Sequence, residues 1–343
     1  MSLLNRFMQK TEFDSYEDFV RNYRVNVPAN FNFAYDVVDV IAKETPDKLA
    51  LVWCDDLGGE KIITFSEMKR LSDKAANFFK VCGIRKGDTV MLTLKGRYEW
   101  WPCMLALHRI GAIPIPATHM LTTKDIVYRV RLADIKMIVA AEERSLIKYV
   151  DEARKECGDL LKYKAVAGGS HDGWIDYDAE VAKAGDHFER PAGADATKND
   201  DVSILYFTSG TVGLPKMAQH NFVYPLGHII TAKYWQNVME DGLHYTVSDT
   251  GWMKAVWGKL YGQWLAGSAV FAYDYEEFNP RNLLQKTTEY RVTTFCAPPT
   301  VYRFLINENL GEYDFSHMKY SVVAGEPLNP EVYNRWLKAT GLR

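Results

Sequence analysis

Apolar positions along this chain switch repeatedly between two periods. Behind Thr64 and Glu67, which match a capping box, Met68, Leu71, Ala75, Phe78 and Phe79 recur at helical spacing until Gly83. The flanking segments are short continuous apolar runs, so 49–53 and 89–94 read as buried strands. The order then repeats as helix 99–110, strand 112–115, helix 123–132, strand 136–140 and helix 143–156, with an earlier helical pattern from about 34 to 46. Alternation of this kind needs crossover connections, which are right-handed, and predicts a mostly parallel sheet covered by helices.

From about 168 to 201 the rhythm lapses into polar residues, with Pro191-Ala192-Gly193 followed by Lys198-Asn199-Asp200-Asp201. A second series follows. Strands are expected at 202–207, 243–247, 269–273, 293–297 and 320–324. Helices are expected up to about 235 and at 259–265, 281–290, 301–308 and 330–339. The predicted fold class is α/β, with two sheet-based subdomains and flanking helices, 1–195 and 196–343.

At 343 residues, 47% hydrophobic and 25% charged, the chain can bury a large core, as an enzyme domain does. A net charge of −3 excludes a general pull toward nucleic acid or anionic membrane. The five cysteines show neither a Cys-x-x-Cys pair nor zinc spacing, so no metal site is expected and the thiols are expected to be reduced. No apolar run approaches the roughly 18 residues of a membrane span, and residues 1–10 lack the apolar core of a signal peptide. A cytoplasmic location is the expectation.

The most chemically pointed stretch is Tyr206-Phe207-Thr208-Ser209-Gly210-Thr211-Val212-Gly213-Leu214-Pro215-Lys216. An apolar strand feeds a loop whose glycines let the backbone approach an oxyanion, while three hydroxyls and an ammonium supply donors. It is not a Walker A loop, because its lysine stands behind a proline, three residues past the second glycine. Loops of this composition also serve as plain surface turns. Here the order of residues resembles the signature loop of the adenylate-forming (AMP-binding) enzymes, which include acyl-CoA synthetases, luciferases and peptide-synthetase adenylation domains. Val212 departs from that pattern, where the family carries Thr or Ser, and removes one hydroxyl.

Two later segments extend the resemblance. Gly325-Glu326-Pro327, between a predicted strand and a helix begun by Asn329 and Pro330, is similar to the family's adenine-pocket segment. Asp249-Thr250-Gly251-Trp252 looks like the Asp-x-Gly-Trp element of acetyl- and medium-chain acyl-CoA synthetases, in which the tryptophan bounds the acyl pocket. Trp257, Leu260, Tyr261 and Trp264 fit either more of that wall or a buried helix face. Cys296 has no local base or cation and His220 is not required as a base, since carboxylates are ionised at neutral pH.

The resemblance covers about residue 30 to the end and implies an ATP-dependent acid–thiol ligase acting through an acyl-adenylate. It implies ATP, Mg2+ and coenzyme A as cofactor and co-substrates, and a small or medium carboxylic acid as substrate. It also implies phosphate binding by Thr208, Ser209, Gly210, Thr211, Val212, Gly213, Leu214, Pro215 and Lys216, with Lys216 as the clamp. Gly325, Glu326 and Pro327 would then face the nucleotide, and Trp252 the acyl group. The family's later motifs, including its mobile C-terminal domain, have no counterpart here, so the chain alone is expected to be inactive or nearly so. A non-catalytic nucleotide- or acyl-binding module is the rival expectation.

Overall fold

The computed structural model describes residues 3–208 and 214–342. Thirteen strands are named in chain order: β1 (Leu49–Asp55), β2 (Glu60–Thr64), β3 (Thr89–Thr93), β4 (Ile113–Pro116), β5 (Ile135–Ala141), β6 (Tyr163–Ala167) and β7 (Ile175–Asp176). They continue with β8 (Val202–Thr208), β9 (Lys216–Asn221), β10 (Leu243–Thr246), β11 (Ala269–Asp274), β12 (Thr294–Ala297) and β13 (Tyr320–Val323). A five-stranded parallel sheet has the order β4-β3-β5-β6-β7, and a six-stranded sheet the order β13-β12-β10-β11-β1-β2. In the latter β2 alone runs antiparallel. β8 and β9 form a separate two-stranded antiparallel ribbon.

Residue alternation along the strands decides the layering. On β1, Leu51 and Trp53 enter one core while Val52 and Cys54 enter another; on β5, Met137 and Val139 join the core of Leu51, whereas Ile138 and Ala140 join a third. The shared core holds the helix Trp100–Ile110, all of whose residues are buried. A helix buried on every side has to lie between two layers, and its two polar residues, His108 and Arg109, need partners inside. The remaining cores bring Leu283, Tyr302 and Trp336 onto the outer face of the six-stranded sheet, and Ile126, Val130, Leu146 and Val150 onto that of the five-stranded sheet. The result is helix, sheet, helix, sheet, helix.

The helix 65–81 begins as its sequence predicts, with the Thr64 hydroxyl accepting from the Glu67 amide at 3.2 Å. Two expectations are corrected. The division at 195 does not follow the sheets, because β1 pairs in parallel with β11, Leu51 opposite Val270. Pairing overrides chain order, since β1 is apolar on both faces and fits the interior of a sheet. The segment after the hydroxyl-rich loop is a strand, β9, before the helix Tyr224–Ile229 and the π-helical turn Ile230–Trp235. Its polar residues gave no alternation to read, and hydrogen bonding to β8 holds it extended.

Candidate active site

The β8–β9 ribbon sets the flanks of the loop side by side, with Thr208 opposite Lys216. Ile204, Leu205 and Tyr206 are buried and anchor the ribbon, whereas Lys216 and Leu214 are exposed at its open end. The Tyr128 hydroxyl donates to the Pro215 carbonyl at 2.9 Å, and the Arg129 guanidinium lies 5.0 Å over the Phe207 ring. The five-stranded sheet's outer helix therefore braces both strands of the ribbon. Ser209, Gly210, Thr211, Val212 and Gly213 lie outside the described residues. His220 stacks on Tyr224 with ring centroids 3.9 Å apart, and burial lowers its pKa, as in a packing role.

The segment 248–252 joins the two sheets. It follows β10 of the six-stranded sheet, yet the Thr250 amide donates to the Lys95 carbonyl after β3 at 3.2 Å. The Asp249 carboxylate accepts from the Gly251 amide at 2.6 Å and stands 3.1 Å from His119 Nδ1, beyond β4. Gly251 packs so tightly that a Cβ there would sit 2.2 Å from the Ala117 carbonyl carbon and the Thr118 nitrogen. Trp252 begins the helix Met253–Gly258 and is 55% exposed, so it is not a core residue. Leu260, Tyr261 and Trp264 are core, which decides for the buried-face alternative, while Trp257 packs against Trp235 at 5.7 Å.

Beneath this segment lies a polar cleft of about 160 Å3, lined by Lys95, His119, Asp249, Lys259, Asp274 and Glu276 among others. Lys259 is buried; its Nζ donates to the Ser248 carbonyl at 2.6 Å, and burial pushes its pKa down to about 8. Burial likewise pushes Asp274 up to about 6. Apart from Asp249, sequence reasoning missed this group because its members stand at or past the ends of different strands, and Lys259 at the end of the helix Met253–Gly258. Their one shared signal is a charged residue just past the end of an apolar run.

The hydrogen bond that His119 donates to the Asp249 carboxylate raises the pKa of His119 above 6.5, against desolvation. A histidine whose folded pKa is raised adds stability that is fully present below the unfolded value and lost as pH rises through the folded one. The stability advantage of the parent chain over His119→Gln should thus be largest below pH about 6.5 and decline above it. Thermal melts of both chains across that range test this, and a difference independent of pH would reject it.

The third segment is also at a strand end. Gly325 has φ +105°, a conformation that favours glycine, as β13 turns into the helix Pro330–Thr340. Asn329 caps that helix, accepting from the Glu331 amide at 2.8 Å. The Glu326 carboxylate accepts from the Thr300 hydroxyl at 2.7 Å and from Arg303 at 2.9 Å. Lys254, two residues past Trp252, reaches the Ala324 carbonyl at 3.3 Å. Trp252 and Gly325–Pro327 thus follow β10 and β13, two strands of one sheet with β12 between them, and Lys254 spans the gap. An apolar groove of about 260 Å3, lined by Trp235, Tyr302, Val323, Leu328 and Trp336 among others, opens along β13. Cys296 is buried with its pKa raised by burial, unlike an activated nucleophile.

A doubly layered α/β chain with its glycine- and hydroxyl-rich loop at a strand end defines a nucleotide-handling class. The chain belongs to the AMP-binding enzyme family, which residues 38–343 match. It is 38% identical over 323 residues to the mitochondrial acyl-coenzyme A synthetase ACSM4 of Rattus norvegicus, covering 92% of this chain and 55% of that protein. It is 34% identical over 337 residues to the mitochondrial acyl-coenzyme A synthetase ACSM3 of Mus musculus, covering 96% of this chain and 57% of the relative. The chain thus spans a little over half the length of these relatives. The fold matches the anthranilate CoA ligase AuaEII, solved with anthranoyl-AMP, at TM-score 0.82 and 21% identity, covering 92% of this chain and 59% of that one. It also matches a Brucella canis acyl-CoA synthetase at TM-score 0.84 and 23% identity, over 96% and 61% of the two chains.

Proposed function

We propose that this chain supplies the ATP- and acid-binding part of an acyl-CoA synthetase. The acid is a short- or medium-chain carboxylic acid, activated as an acyl-adenylate and passed to coenzyme A. The observation that carries this reading is the ribbon that sets Thr208 against Lys216 at the mouth of a hydroxyl-rich loop, within a family-matched chain. A carboxylate oxygen attacks the α-phosphorus, the bond to the bridging oxygen breaks and pyrophosphate leaves. The coenzyme A thiol then attacks the acyl carbon and displaces AMP. The first step needs charge neutralisation on the leaving pyrophosphate and in-line placement of the carboxylate. Lys216 and Thr208, with Ser209 and Thr211 of the loop, are the groups assigned to the phosphates; Gly325, Glu326 and Pro327 are assigned to the nucleotide and Trp252 to the acyl chain. Among the described residues no group of three or more His, Cys, Asp or Glu side chains is placed to hold a metal ion, so this reading draws on no protein ligand set for magnesium.

Lys216→Ala tests the reading. Loss of a charge-assisted contact to phosphate should weaken ATP binding by about 10- to 100-fold. Calorimetry on the parent chain and the variant measures this; equal ATP affinity would remove Lys216 from the site. The second reading is a nucleotide- or acyl-binding module without turnover. Carboxylate-dependent exchange of pyrophosphate into ATP by the purified chain would exclude the module, whereas ATP binding without exchange would support it. A cytoplasmic location stays part of this proposal, supported by five free cysteines.

A further inference from the structure

The first turn of the helix Met253–Gly258 carries the Lys254 side chain from the Trp252 side toward the end of β13. Its Nζ donates to the Ala324 carbonyl at 3.3 Å, a long bond for an ammonium and one that uses a single N–H of three. Among the described residues it has no ion-pair partner: Glu326, whose charge it feels, is held by Thr300 and Arg303. Burial lowers its pKa. A partly dehydrated cation with donors to spare is costly unless an anion meets it.

Its location says which anion. Lys254 stands two residues past Trp252, and its ammonium reaches Ala324, next in the chain to Gly325 and Glu326. If, as proposed above, the acyl group lies against Trp252 and the nucleotide against Gly325–Pro327, the reacting carboxylate lies between them. A carboxylate and a polyphosphate repel each other at that range, and an interposed ammonium offsets the repulsion. We propose that Lys254 binds the carboxylate of the acid substrate by a charge-assisted hydrogen bond and so holds it beside the nucleotide. This inference rests on the ligase reading. It adds a recognition element for the reacting group itself, distinct from the phosphate loop.

Calorimetry on the chain, loaded with magnesium α,β-methylene-ATP, tests it with two probes of equal length, hexanoate and 1-hexanol. The parent chain should prefer hexanoate by at least about tenfold. Lys254→Met should abolish that preference while leaving the affinities for hexanol and for the nucleotide within about twofold, and Lys254→Arg should restore part of it. A merely structural role would weaken both probes together. Retention of the preference by Lys254→Met, or weakening of nucleotide and hexanoate by the same factor, would overturn the assignment; the latter would move Lys254 to the phosphates. Nucleotide binding with no preference in the parent chain would sink this proposal alone. Binding of neither nucleotide nor acid would sink the ligase reading with it.

Discussion

Gly251→Ala is expected to lower stability by about 3 kcal/mol or more, at the upper end of what overpacking costs. The added Cβ would stand 2.2 Å from the Ala117 carbonyl carbon and the Thr118 nitrogen, and 2.6 Å from the Ala117 oxygen. These are main-chain atoms, so no side-chain rotation relieves the collision. Either the loop after β4 or the segment 248–252 must move. Movement would stretch the bonds that fasten that segment, from Thr250 to the Lys95 carbonyl and from Asp249 to His119. Trp252 would shift with it, so acid binding should weaken along with stability. Gly227→Ala is the control: it lies in the helix Tyr224–Ile229 and a Cβ there meets nothing within 4 Å. Alanine in that helix should be neutral or stabilising by up to about 1 kcal/mol. Urea midpoints of the two variants against the parent chain decide the matter, and a Gly251→Ala midpoint equal to that of the parent would show the contact to be looser than described.

Arg109→Ala should cost about 3–5 kcal/mol, the range for removing one partner of a buried ionic cluster. Arg109 is fully buried, with its guanidinium donating to both Asp39 oxygens at 2.6 and 3.0 Å and to the Ser72 hydroxyl at 3.0 Å, and forming an ion pair with Asp73 at 3.1 Å. Its face also lies 4.9 Å over the Tyr35 ring. Without it, buried Asp73 keeps only Lys69 as a cationic partner, at 2.6 Å. Burial already raises the Asp73 pKa above 3.8, and loss of the guanidinium would raise it further. A carboxylate whose folded pKa lies above its unfolded value destabilises the fold more as pH rises through that window and less as it falls. The deficit of Arg109→Ala should therefore shrink between neutral pH and pH about 5. Arg109→Lys keeps the charge but loses the fork, and should fall between the two. Denaturation at both pH values is the check, and a pH-independent deficit would point to lost packing instead of an unpaired carboxylate.

Most interior strands were legible because they are apolar on both faces; β6, which opens on the half-buried Tyr163 and Lys164, was not among those expected. The run expected at 136–140 is β5, Ile135–Ala141, and that at 269–273 is β11, Ala269–Asp274. Edge strands β4 and β13 and ribbon strand β8 were legible too, but the edge strand β2 and the ribbon strand β9 were not. β2 begins Glu60-Lys61 and has one buried position, and β9 has none. Such strands are held by backbone pairing, which leaves no mark in side-chain hydrophobicity. At the candidate site, the hydroxyl-rich loop and the segments of Trp252 and Gly325 could be found as contiguous motifs. The cleft of Lys95, His119, Asp249, Lys259 and Asp274, and the reach of Lys254 to Ala324, could not.

By itself, the order of residues determined most of the helices and interior strands, and which loop is rich in glycines and hydroxyls. Both are local properties, set by side-chain periodicity and by glycine and hydroxyl content over a few residues. The tertiary structure decided the partners. It seated β1 beside β11, drove the wholly buried helix Trp100–Ile110 between two sheets, and closed Gly251 onto the backbone after β4. Periodicity states that a face must be buried and says nothing of what buries it. A site assembled at the ends of several strands therefore exists only once the sheets have formed and packed.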